Sequence, residues 1–87
     1  MKNIQEVVLR IHTEIMHQKG INQKSTPDME IRPKNGITSE SIVIFILDLE
    51  EELGIELDDY LSKIRKAKTI QALIDIVRKA YEDSNNE

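Results

Sequence analysis

Apolar side chains recur at spacings of three and four residues in several stretches of this chain. In NIQEVVLRIHTEIMHQ, residues 3 to 18, they are Ile4, Val7, Val8, Ile11, Ile15 and Met16. Residues spaced in this way share one face of an α-helix, because about 3.6 residues complete a turn. The spacing predicts a first amphipathic helix, closed by Gly20. A second is predicted over residues 39 to 53, with Ile42, Phe45, Ile46, Leu49 and Leu53 as its stripe and Gly54 as its end. Residues 58 to 66 predict a short third helix, with Asp58 as its N-cap. Thr69 is expected to cap a last helix whose stripe is Ile70, Leu73, Ile74, Val77 and Tyr81. The polar tail EDSNNE, from residue 82, is expected to fray.

Residues 20 to 38 show no period. Gly20, Pro27, Pro33, Asn35 and Gly36 punctuate them, and STPD is turn-prone. So long a loop is uncommon in a small domain unless it has a use. Ile21, Met29, Ile31 and Ile37 are spaced so that they can pin it across the helices. The expected fold is all-α: a bundle of three to four helices in one domain, with a long loop between helices one and two.

Composition narrows what such a bundle can do. The chain has 87 residues, enough for one small domain with a modest core. Its hydrophobic content of 39% is ordinary for a folded protein. With one Phe, two Tyr and no Trp, that core must be built from Ile, Leu and Val. The net charge of −4 disfavours nucleic acid and favours basic protein partners. There is no Cys, so any thiol chemistry needs a sulfur brought by a cofactor. The longest apolar run, Ile42 to Leu47, is six residues, far short of a membrane span. The N-terminus lacks the pattern of a signal peptide, and a cytoplasmic location is expected.

No catalytic constellation is visible. His12 and His17 are five residues apart and do not share a helical face, so no metal pair is expected. A Ser with no placed base is not a nucleophile by itself, and no enzyme activity is expected. Two features remain. Thr38, Ser39 and Ser41 crowd the start of the second helix, where one hydroxyl suffices as a cap. At about 100° per residue, Ile44 lies opposite the core stripe with Leu47 near it, rimmed by Glu40, Asp48 and Glu51. Either the loop of residues 20 to 38 covers these side chains, or they form a partner-docking surface. Glu50, Glu51 and Glu52 face the negative end of the helix dipole, at a cost on the order of a few tenths of a kcal/mol. They are either a solvated helix end or a binding patch.

Over nearly its whole length the chain resembles acyl carrier proteins and the related aminoacyl and peptidyl carriers. In that family a Gly-x-Asp-Ser motif opens the second helix, and its Ser bears a 4′-phosphopantetheine arm. GITS, residues 36 to 39, is similar to that motif, with Gly36 in the place of the Gly, Thr38 in that of the Asp and Ser39 in that of the Ser. Apolar residues follow Ser39 by four, seven, ten and fourteen places at Val43, Ile46, Leu49 and Leu53. LEEELGIEL resembles the family's acidic helix end and the loop after it, and TIQALIDIV its last helix. STPDMEI, with Ile31, resembles the loop before the motif. Ser41, in ESI, imitates the motif in a shifted register and is the lesser candidate, because it would rotate the apolar stripe by about 200°. The departures are Thr38 for an acid, Glu40 for an apolar residue, Ile44 at a position that is often acidic, and about two extra residues before Thr69.

The resemblance implies a monomeric carrier in fatty-acid or secondary-metabolite biosynthesis that performs no chemistry alone. A phosphopantetheinyl transferase would attach the arm to Ser39, and acyl or amino-acid ligases and synthases would use the arm's thioester. The alternative is a helical interaction module that never carries an arm and docks through Ile44 and Leu47. The departures at Thr38 and Glu40 favour that alternative.

Overall fold

The computed structural model describes residues 3–85. It contains four α-helices and, among the described residues, no β-strand. The first helix, α1, spans Ile4–Gln18 and buries Ile4, Val7, Val8, Ile11, Ile15 and Met16, the whole apolar stripe. Asn3 caps it by accepting from the Glu6 amide at 3.1 Å. His12 is buried on the same face, a position the apolar pattern did not mark.

The second helix, α2, spans Ser39–Leu53 and buries Ser41, Phe45, Leu49 and Leu53. Ile42 and Ile46 are only half-buried. The sequence pattern placed both on the core stripe; they line its edge instead, because α2 packs chiefly on α1 and stands apart from the helix that follows. Gly54 ends α2 in the left-handed region, φ +65°, where a glycine carries no Cβ penalty.

Residues 58 to 66 do not form the single helix expected. Asp58–Tyr60 make one turn of 3-10 helix without a side-chain cap, and α3 follows as Leu61–Lys66. Ile64 is the residue α3 buries, so six residues of helix hold to the core by one apolar anchor. The last helix, α4, spans Ile70–Asn85 and buries Ile70, Leu73, Ile74, Val77 and Ala80. Thr69 caps it through its hydroxyl, which accepts from the Ala72 amide at 3.2 Å.

The end of α4 also departs from expectation. Residues 82 to 85 are helical, not frayed. Asp83 explains it: it accepts from the Tyr60 hydroxyl at 2.6 Å and pairs with Lys79 at 3.4 Å, one turn back. That hydrogen bond holds the Tyr60 phenol above, and the Asp83 carboxyl below, its ordinary range. The rest of the polar tail lies outside the described residues.

The connection between α1 and α2 is ordered by polar ties more than by its own periodicity. It runs past the start of α4, where the Ile70 and Gln71 amides donate to Met29 O at 2.9 Å and Pro27 O at 2.8 Å. Glu30 and Thr69 form an isolated antiparallel bridge there. The first amides of a helix have no partner within it, and here the connection supplies two. One turn of 3-10 helix, Pro33–Asn35, then leads into Gly36 and the start of α2.

Candidate functional site

The site is built at the N-terminus of α2, and its order begins with His12 on α1. The His12 ring is buried, stacked on Phe45 with centroids 5.9 Å apart. Nε2 lies 2.9 Å from the Asn35 carbonyl oxygen, an acceptor only, so this nitrogen carries the proton and donates. Nδ1, 2.6 Å away, then accepts from the Ser25 hydroxyl. Ser25 is held in turn by Thr13, whose hydroxyl accepts from the Ser25 amide at 2.9 Å. Burial pushes the His12 pKa below its ordinary 6.5, and the hydrogen bond to Asn35 opposes that shift. His12 thus pins both arms of the connection to α1, and the Asn35 end sits next to Gly36.

Gly36 is required where it stands. Its φ is +83°, and a Cβ there would lie 3.3 Å from Met16 Cγ and 3.5 Å from Met16 Cα. Both the backbone conformation and the close approach to α1 disfavour a larger residue. The Gly36 carbonyl accepts from the Ser41 hydroxyl at 2.6 Å.

The crowded hydroxyls resolve into separate roles. Thr38 is the N-cap: its Oγ1 accepts from the Ser41 amide at 3.1 Å. Ser41 is buried, and its Oγ accepts from the Thr38 amide at 2.8 Å while donating to Gly36 O. The pair is a reciprocal capping box, with Ser where Glu or Gln is usual. Ser39, the first residue of α2, lies outside this network and is exposed. Of the three hydroxyls, Thr38 is the cap, and Ser39 takes no part in it. Ser41, the lesser candidate for attachment, is enclosed and already satisfied.

A groove of about 630 Å³ opens beside Ser39. Ile37, Ile42, Val43 and Ile46 form one wall, and Leu61, Ile64 and Arg65 the other. On the outer strip of α2, Val43, Ile44 and Leu47 are 53%, 46% and 56% exposed, so the connection does not cover Ile44 and Leu47. Glu40, Asp48 and Glu51 are exposed beside them. The predicted stripe left Val43 out, and the predicted outer face did not include it either. A helical wheel would have found it, since Val43 lies about 160° from Phe45.

The three consecutive glutamates also divide. Glu50 turns back and accepts from the Leu57 amide at 2.8 Å, fixing the turn after α2. Glu52 pairs with Arg10 of α1, which also pairs with Glu14 at 3.0 Å. Glu51 faces solvent. The electrostatic cost at the dipole's negative end is offset by these bonds to a backbone amide and a guanidinium.

Among the described residues no cluster of three His, Cys, Asp or Glu side chains is placed to hold a metal ion. No helix among them is long and apolar enough to cross a membrane. Comparison with protein-family models, curated proteins and solved structures finds no match.

Proposed function

We propose that this chain is a carrier whose Ser39 hydroxyl is esterified by 4′-phosphopantetheine. The observation that supports the reading is the division of labour among the hydroxyls. Thr38 and Ser41 satisfy the helix start, and Ser39 is left exposed at the first position of α2. A serine needed for capping would lose its bond on modification; this one has none of that role to lose. The residues fit a phosphodiester, because the amino end of a helix favours negative charge.

In the attachment step, Ser39 Oγ attacks the phosphorus of coenzyme A that bears the pantetheine. A Ser39 O–P bond forms, the pyrophosphate P–O bond breaks, the adenine nucleotide leaves, and the serine proton passes to a base of the transferase. When attached, the arm supplies a terminal thiol on which an acyl or aminoacyl group is held as a thioester. The chain's own contribution is positional. Thr38, Ser41 and Gly36 fix the attachment point, and His12 fixes the segment leading to it. The outer strip, with Ile44 and Leu47 rimmed by Glu40, Asp48 and Glu51, suits docking of basic transferases, ligases or synthases.

A second reading has its own support. The uncovered Ile44 and Leu47 would serve equally as the contact face of an interaction module that is never modified. Intact mass spectrometry separates the two. Incubation with coenzyme A and a broad-specificity transferase is expected to add one arm, lost in Ser39→Ala and retained in Ser41→Ala. No mass gain with several transferases would leave the interaction module as the better account.

A further inference from the structure

Among the described residues, the large apolar side chains left exposed are Val43, Ile44, Leu47 and Leu61. They are not scattered. The first three lie on the outer strip of α2; the fourth opens α3, across the groove that Val43 and Leu61 both line. The two sides carry opposite charge. On α2, Glu40 and Glu51 fall within about 40° of Leu47 around the helix, and both are exposed. On α3, Arg65 and Lys66 are exposed, and residues 61 to 68 hold four cations and no acid. Elsewhere on the surface Arg10, Glu30, Glu52 and Asp83 are engaged in ion pairs. Glu40, Glu51, Arg65 and Lys66 form none among the described residues.

Two apolar strips that lie side by side with opposite charge on their rims are complementary to the same pair turned around. We propose that two copies of this chain associate through the α2–α3 face, about a two-fold axis over the groove, with α2 of each copy against α3 of the other. Leu61 of one protomer then meets the partner's Val43, Ile44 and Leu47, and Arg65 and Lys66 meet the partner's Glu40 and Glu51. Each contact occurs twice, as a two-fold axis requires. Packing α2 on α2 instead would set acid against acid, so charge selects the crossed arrangement. The resemblance to carriers implies a monomer, and this surface departs from it. Association covers the strip that suits partner enzymes, so the two uses exclude each other, and it requires no arm on Ser39.

The test is sedimentation of the full-length chain over a concentration series. The parent is expected to show a monomer–dimer equilibrium that weakens with added salt, because its charged groups are exposed. Arg65→Glu with Lys66→Glu, and separately Glu40→Lys with Glu51→Lys, should each weaken dimerisation by about tenfold or more, since both put like charges across the axis. An equimolar mixture of these two double variants should recover the dimer as a heterodimer, because each then meets opposite charge on both sides. Lys19→Glu with Lys24→Glu makes the same change in net charge at exposed positions just after α1 and should associate as the parent does. Leu61→Ser should weaken the dimer without a change of charge. A chain that stays monomeric throughout, reversals without effect, or a mixture that recovers nothing would each overturn the assignment. Ser39→Ala should dimerise as the parent does, so failure to take an arm and failure to dimerise are separate results.

Discussion

On its α1 flank, α2 buries Phe45 against the His12 ring and ties Glu52 to Arg10; on its α3 flank, it leaves Ile42, Val43 and Ile46 along a groove. Both flanks belong to the same fifteen residues. The difference lies in the partner. α1 is itself fifteen residues long and presents a continuous apolar face, whereas α3 has six residues and one buried anchor, Ile64. A long helix can close a seam; a short one leaves a gap. The firm flank fixes where Ser39 stands, and the loose flank provides the space beside it. The packed seam and the open groove are thereby set on different sides of one helix.

Emptying the firm flank should do the greatest damage. Phe45→Ala should cost about 3–5 kcal/mol by denaturant unfolding, a large part of what a domain this small has. A loss below about 1 kcal/mol would mean the seam is not the foundation. Ser41→Ala comes next, at about 1–3 kcal/mol, because it removes a buried hydroxyl and strips the Thr38 amide of its acceptor.

His12 gives a pH signature on the firm flank alone. Its folded-state pKa is lowered, chiefly by burial, so below the ordinary 6.5 the unfolded chain binds the extra proton first. The stability carried by neutral His12 is present above pH 6.5 and is lost as pH falls from there toward the folded pKa, with a slope of at most about 1.4 kcal/mol per pH unit. In His12→Gln that slope should vanish from unfolding curves recorded between pH 7 and pH 5. An unchanged slope would assign the pH dependence to another group.

Ser39→Ala should change stability by less than about 0.5 kcal/mol while abolishing any gain of arm in the mass spectrum. If Ser39→Ala destabilised as much as Ser41→Ala, the contrast between the two serines would collapse. The smallest effect on stability is expected on the outer strip. Ile44→Ser and Leu47→Ser should melt with the parent, yet slow loading by a partner enzyme about tenfold if this strip is a docking face. Unaltered loading would move the docking surface elsewhere.

Much of the fold was legible because helical period is a local property. The α1 stripe, the end of α2 at Gly54 and the Thr69 cap were all readable from spacing and cap chemistry. The apolar candidates on the outer strip were readable too, since angle alone puts Ile44 and Leu47 away from Phe45. Where the reading failed, the missing fact was a distant partner. EDSN reads as tail until Tyr60, some twenty residues earlier, supplies a hydroxyl for Asp83. Residues 58 to 66 read as one helix until their lack of a cap and single buried contact are seen.

The helices, their faces and the crowding of hydroxyls at the head of the second one are local properties, because each depends on residues within a turn or two of one another. Which hydroxyl is spent and which is free depends instead on how distant segments pack. Ser41 is enclosed because the Gly36 carbonyl reaches it, and Gly36 is placed by its approach to Met16 and by the grip of His12 on Asn35. Those contacts join residues far apart in the chain, and no local pattern encodes them.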